Sequence, residues 1–258
     1  MSADTKTSAD NTARFSDRVD AYVKYRPSYP DELFDCLIGE GILFPDSVVA
    51  DIGSGTGFFS ALLARRVRTV KCVEPNDGMR NASVDFLSGY ANCEIVKGTA
   101  EHTSLEGSSV DCVTVAQAFH WFDRPTSLAE FRRILKSNGK MILVWNDRLV
   151  DTPFLESYEA ALKKYGNDYE EVNHQNLTDD VLAPCFRDGF TKRTFPNFQE
   201  FDFDGVMGRL TSSSYAPAKG SEKFALLRAT LRESFDREST DGKIRFNYGT
   251  DVYWGTIG

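Results

Sequence analysis

Histidine is scarce in this chain, with three among 258 residues. His102, His120 and His174 stand far apart, and no His/Cys/Asp/Glu grouping has metal-ligand spacing, so no metal is expected. Cysteine is nearly as sparse. Cys36, Cys72, Cys93, Cys112 and Cys185 are odd in number, form no CxxC pair and fall mostly inside apolar runs such as VKCVE and VDCVTV. That pattern argues against a disulfide framework and for reduced core thiols. No serine lies in a GxSxG elbow, and no Cys–His combination has a recognisable nucleophile context. No apolar run approaches the roughly 18 residues that cross a bilayer, and the polar start MSADTKTSAD lacks the apolar segment of a secretory signal. The expectation is a cytoplasmic protein with no membrane partner. A block of basic residues is also missing: 30 Lys and Arg stand against 38 Asp and Glu, for a formal charge of −8. A nucleic-acid partner is therefore not expected, because nothing in the chain makes a basic stripe for a phosphate backbone.

What the chain does have is a hydrophobic fraction of 41%, ordinary for a protein that buries a full core. Residues 1–13 carry no hydrophobic period and read as a disordered tail. From Phe15 to Ile38 apolar residues recur at helical spacing, broken by YRPSYP at 25–30, which predicts helix, turn, helix. Short β-branched runs then alternate with amphipathic stretches. Strands are expected at 47–53, 69–74, 93–98, 110–118 and 138–145, with helices at 58–66, 79–88 and 126–135 between them. Strands apolar enough to be covered on both faces predict an α/β fold with a doubly wound, mostly parallel sheet. Beyond residue 150 the pattern is helix-like and irregular. Strands are expected only at 191–203 and 243–257, as an antiparallel pair at the sheet edge, with a helical insertion at 220–236 between them.

The strongest local signal is VVADIGSGTGFFS, a strand carrying Asp51 near its end and then Gly53, Gly55 and Gly57 at alternate positions before a helix. Glycine there lets backbone approach a ligand closely and adopt positive φ at little steric cost. Two ligand classes compete for such a turn. A dinucleotide fingerprint needs GxGxxG, and neither GSGTGF nor GTGFFS fits it cleanly. Glu74 closes the second strand, where a carboxylate can accept hydrogen bonds from both hydroxyls of a ribose, and it would serve either cofactor.

DIGSGTG, CVEPNDGM, KGTAEHTSL and VAQAFHWFD, in this order and spacing, resemble the motifs of the class I S-adenosylmethionine-dependent methyltransferases. YRPSYP, AQAFHWFD, GRLTSSSYAP and FNYGTDVYWGTI extend the resemblance to the type-11 methyltransferases related to trans-aconitate methyltransferase, over roughly 15–258. The resemblance implies a Rossmann-like, seven-stranded sheet with an antiparallel final strand. It also implies one domain over 14–258: a helical N-terminal cap at 14–44, a cofactor-binding core at 45–147, and a substrate-side insertion with closing strands at 148–258.

The implied cofactor is S-adenosyl-L-methionine, leaving as S-adenosyl-L-homocysteine. On the matching positions it would be held by Asp51, Gly53, Ser54, Gly55, Thr56 and Gly57 at the turn, by Glu74, Pro75 and Met79 after the second strand, and by Thr99, Ala100 and Glu101 along the adenine. Ala116, Gln117, Ala118 and Trp121 would line the reacting end, with Tyr22 and Arg26 folding over from the N-terminal segment. His120 falls near the expected sulfonium methyl, as a base or as a packed residue that shapes the pocket. Substrate contacts are expected from Tyr25, Trp145, Arg148, Arg209 and Tyr215. The implied activity is methyl transfer to a small-molecule acceptor. A nicotinamide-dependent oxidoreductase and a catalytically silent binding module of the same fold are the alternatives, and the oligomeric state is not legible.

Overall fold

An apolar strand inside a parallel sheet needs a layer on each face, and the computed structural model, which describes residues 24–167, 169 and 178–258, supplies both. The first half runs α1 (Asp31–Gly39), β1 (Val48–Ile52), α2 (Phe58–Ala64), β2 (Thr69–Val73), α3 (Asp77–Phe86), β3 (Cys93–Val96), β4 (Val110–Ala116), α4 (Arg124–Ile134) and β5 (Leu135–Arg148). The second half adds α5 (Pro153–Tyr165), α6 (Asp179–Leu182), β6 (Thr191–Phe201), α7 (Phe203–Thr211), α8 (Glu222–Glu238) and β7 (Ile244–Gly255). Several helices start where a side chain accepts from an otherwise orphaned backbone N–H. Asn76 caps α3 through Met79 N, Thr152 caps α5 through Leu155 N, Asp202 caps α7 through Gly205 N, and Ser221 caps α8 through Phe224 N.

The seven strands lie in the order β3-β2-β1-β4-β5-β7-β6. β1 to β5 pair in parallel, while β7 runs antiparallel to both β5 and β6. This is the mostly parallel sheet with an inverted final strand expected from the sequence, and the two late strands do form the edge pair. β5 is longer than expected at both ends, because Leu135 already pairs with Val110 before a register shift, and its far end stays paired with β7 out to Arg148.

Period-two alternation sorts the core into two layers. Ala50, Ile52, Val113, Val115 and Leu143 face one way, onto Leu128, Phe131 and Ile134 of α4. Val49, Cys112, Ile142 and Val144 face the other, onto Leu33, Phe34 and Leu37 of α1 and Phe59 and Leu63 of α2. A third cluster joins Phe154, Leu155 and Tyr158 of α5, Val206 and Leu210 of α7, and Leu227 and Leu231 of α8 with Phe246 and Tyr248 of β7. Tyr248 pairs with Arg148, so this cluster forms a cap at the carboxyl end of β5. Strand order reverses between β1 and β4, and crevices for ligands open at the carboxyl ends of strands at such a switch point. Among the described residues no helix is long and apolar enough to cross a membrane.

Candidate active site

The turn after β1 is held by its neighbour: Gly53 N and Ser54 N both donate to Val73 O of β2, at 2.8 and 3.1 Å. Gly53, Gly55 and Gly57 have φ of 69°, 58° and 83°, all in the left-handed region. Their surroundings differ. A Cβ on Gly53 would lie 2.8 Å from Ala118 Cβ, so this turn touches the loop that follows β4. A Cβ on Gly57 would lie 2.6 Å from Leu87 Cδ1. A Cβ on Gly55 would meet nothing within 4 Å among the described residues, which leave the middle of the turn uncovered. Beside it, the hydroxyl of Ser54 is buried without a hydrogen-bond partner among the described residues.

Asp51 does not enter that space. It is 1% exposed, and its carboxylate accepts from Ser60 Oγ at 2.6 Å and from Thr114 Oγ1 at 3.0 Å, tying α2 and β4 beneath the turn. Burial pushes its pKa up to about 6 against those two bonds, with Glu74 adding a further upward push. Glu74 closes β2 differently. Its Oε2 accepts from Gly55 N and its Oε1 from Asn76 N, each at 2.8 Å. Burial raises its pKa, and the two backbone N–H groups and Arg80 oppose the rise. A carboxylate has about four lone-pair sites; two remain for a ligand.

Pro75 and Met79 follow in the cap of α3, where Met79 is 4% exposed. Thr99, Ala100 and Glu101 form a tight turn closed by Thr99 N to His102 O at 3.0 Å. Glu101 Oε1 accepts from Asp123 N at 3.0 Å and so bridges to the start of α4. Gln117, between Ala116 and Ala118, has φ of 60° and donates its N–H to Val144 O at 2.9 Å. A left-handed non-glycine residue costs free energy that the surroundings must offset, and such residues gather at functional sites. The 3-10 turn Phe119–Trp121 places the His120 and Trp121 rings 4.7 Å apart.

The N-terminal strap reaches over from the other side. Tyr29 stands edge-on to Phe59 of α2 with centroids 4.8 Å apart, and Asn146 Nδ2 donates to Ser28 O at 3.1 Å. Arg26 Nη2 donates to Ser212 O at 2.9 Å, and the Tyr25 ring fills the space over Gly208. Tyr22 lies outside the described residues, as does His174.

Arg148 comes to Arg209 and Tyr215 in the cap, through Tyr169, although it lies far from both in sequence. Burial raises the Tyr215 phenol, but Arg209 and Arg148 overcome it and hold the group below its ordinary value. Trp145 is not brought to this group: it is 3% exposed and packs edge-on to Tyr253 at 5.7 Å in the core layer shared with α4. Sequence reasoning did not single out Glu159, Tyr158 or Asn146, which bind Arg148, stack against it and pin the strap. The spacing of Phe154, Leu155, Tyr158, Ala161 and Leu162, all buried on one face of α5, is the signal that marks Tyr158 as inward-facing.

The fold has counterparts among known proteins. Residues 50–143 match a family model described as a methyltransferase domain. A methyltransferase-like protein of Schizosaccharomyces pombe is 33% identical over 156 residues, covering 60% of this chain and 59% of the relative. The chain thus spans little more than half the length of that relative. A second uncharacterized methyltransferase of the same yeast is 31% identical over 244 residues, covering 90% of this chain and 92% of its own. A solved structure from Anaeromyxobacter dehalogenans, described as a type II methyltransferase, superposes with a TM-score of 0.66 at 21% identity, covering 90% and 98% of the two chains, and speaks to the fold. The chain belongs to the methyltransferase family that the second yeast relative represents.

Proposed function

We propose that this chain transfers a methyl group from S-adenosylmethionine to a small-molecule acceptor bound between the glycine turn and the cap. The observation that carries the reading is the space over Gly55 that no described residue fills, beside a Glu74 carboxylate with acceptor capacity to spare. In this reading Gly53, Ser54, Gly55, Thr56 and Gly57 form the floor of the cofactor site and Asp51 braces it from below. Glu74 takes the ribose hydroxyls, Pro75 and Met79 flank them, and Thr99, Ala100 and Glu101 border the adenine. Ala116, Gln117, Ala118 and Trp121 wall the reacting end, and Arg26 and Tyr25 close it from the strap. His120 shapes this wall by packing on Trp121. The cap at 148–258 supplies the acceptor's contacts, the core at 45–147 those of the cofactor.

When bound, S-adenosylmethionine supplies an electrophilic methyl whose sulfur leaves as a neutral thioether. The chain's own contribution is alignment: it holds donor and acceptor in line and keeps water out, an effect worth on the order of 7–11 kcal/mol in favourable cases.

The test is calorimetric titration of the wild type and Glu74→Gln with S-adenosylmethionine, S-adenosylhomocysteine and NADH. The wild type is expected to bind the first two and not the third. Loss of a charged acceptor from the ribose should weaken S-adenosylhomocysteine about ten- to a hundredfold, the equivalent of one charge-assisted hydrogen bond. Binding of NADH alone, or unchanged affinity in Glu74→Gln, would overturn the assignment.

A further inference from the structure

Arg80, in the first turn of α3, folds back on the chain that enters its own helix. Its Nη1 is shared between Glu74 O at 3.2 Å and Pro75 O at 3.4 Å, and its Nη2 donates to Asp77 Oδ1. Asp77 also accepts from Lys97 Nζ at 3.1 Å. An ion pair three residues apart on a helix surface contributes little by itself. The pair with Asp77 therefore does not explain why the other half of the fork turns inward, leaving the Arg80 side chain only 16% exposed.

What the inward half holds is the peptide that in turn holds Glu74. The Pro75 carbonyl and the Asn76 N–H belong to one planar trans peptide and point to opposite sides of it. Arg80 binds the oxygen of that plane, and its nitrogen donates to Glu74 Oε1 at 2.8 Å. Fixing one side of the plane aims the other. A cation on the carbonyl also polarises the amide, which makes its N–H a better donor. Since Glu74 Oε2 accepts from Gly55 N, a continuous chain of bonds runs from Arg80 through the Pro75–Asn76 peptide and the Glu74 carboxylate to the glycine turn. Charge works in the same direction. Burial favours the neutral acid at Glu74, and the Arg80 cation opposes it. The other charges around this end of β2 are Asp51 from β1, which Glu74 pushes up, and the Asp77–Lys97 pair outside Arg80.

We propose that Arg80 is a positioning residue for the cofactor: through the Pro75–Asn76 peptide and through its charge, it keeps Glu74 aimed and anionic for the ribose hydroxyls. The proposal rests on the assignment of Glu74 to the ribose. Arg80 acts on the cofactor through Glu74 and not by contact.

The experiment is calorimetric titration of the full chain with S-adenosylhomocysteine in a double-mutant cycle of Arg80→Met and Glu74→Gln. At pH 7, Arg80→Met is expected to weaken binding about three- to tenfold when Glu74 is present, and by less than about twofold beside Glu74→Gln. A pH profile from 5 to 8 adds a readout that a general loosening of α3 would not move. Protonation of Glu74 weakens binding on the acid side, and that fall should move up by about half a pH unit or more in Arg80→Met while staying in place in Arg80→Lys, which keeps the charge. Any step from Asp51, whose pKa is about 6, persists in Glu74→Gln and is read there separately. Equal losses in the two backgrounds, or a profile that Arg80→Met leaves unmoved, overturn the proposal. Arg80→Gln, which keeps an amide donor without the charge, should show the same upward shift and decides the matter if Arg80→Met does not fold. Failure of the underlying reading looks different: the wild type would not bind S-adenosylhomocysteine, or Glu74→Gln alone would leave its affinity unchanged.

Discussion

Asp51 and Glu74 are both buried carboxylates on neighbouring strands, yet they are held by different donors and so do different work. Glu74 accepts two backbone N–H bonds, whereas Asp51 accepts two hydroxyls and ends with its pKa raised to about 6. The sign of the consequence follows from proton counting. Between the ordinary carboxyl value of 3.8 and about 6 the folded chain keeps a proton that the unfolded chain has released, so Asp51 makes stability fall as pH rises through that window. A rise of this size corresponds to about 3 kcal/mol. Urea unfolding of the wild type and Asp51→Asn at pH 4, 5, 6 and 7 should show the wild type losing about that much relative to the variant, with the gap flat above pH 7. A gap that stays constant from pH 4 to 7 would mean that Asp51 titrates as it does in the unfolded chain. The presence of both acids was legible from their place at strand ends. Their division of labour was not, because Ser60 and Thr114 reach Asp51 only once α2 packs on the sheet and β4 pairs with β1.

Within the element that follows β1, the three glycines are required for three reasons. Gly57 needs both its φ of 83° and the space taken by Leu87, Gly53 lies against Ala118, and Gly55 needs only its φ of 58°. Gly57→Ala combines backbone strain with overpacking and should cost about 2–4 kcal/mol in chemical denaturation. Gly55→Ala should cost only about 1 kcal/mol, but its methyl enters the space proposed for the cofactor and should lower S-adenosylhomocysteine affinity at least tenfold by calorimetry. Equal stability losses, or unchanged affinity in Gly55→Ala, would contradict the geometry. The existence of each strand was readable from two-residue periodicity, since Val49 and Ala50 must face opposite layers. The length of β5 was not readable: Asp147 and Arg148 are polar, and they extend the strand only because β7 runs alongside them.

Across the whole molecule, one amide joins parts that are remote in sequence. Asn146 donates to Ser28 O of the strap and accepts from Thr250 of β7 and Asn197 of β6, while 6% exposed. Asn146→Ala leaves the Thr250 hydroxyl without its acceptor, while Ser28 O keeps the bond from Asn197 Nδ2 at 2.6 Å, and should cost about 1–2 kcal/mol in urea unfolding. It should also weaken S-adenosylhomocysteine binding up to severalfold, because the strap that carries Tyr25 and Arg26 is then tied to the sheet, among the described residues, only through Asn197 and Gln199 of β6; a variant as stable as the wild type would show that those two bonds suffice. The succession of core strands, the glycine turn and the acids that flank it were all decided in the sequence. They depend on local dihedral preference and on the period with which apolar side chains meet two covered faces, both written in contiguous residues. Which charges are matched emerged only from the packing. Arg148 finds Glu159, while Arg209 finds hydroxyls, although both read from the sequence alike, as candidate substrate contacts. The reason is physical: the worth of a charge depends on its burial and on its partners, and both are set by the way α5, α7 and β7 close over the end of the sheet.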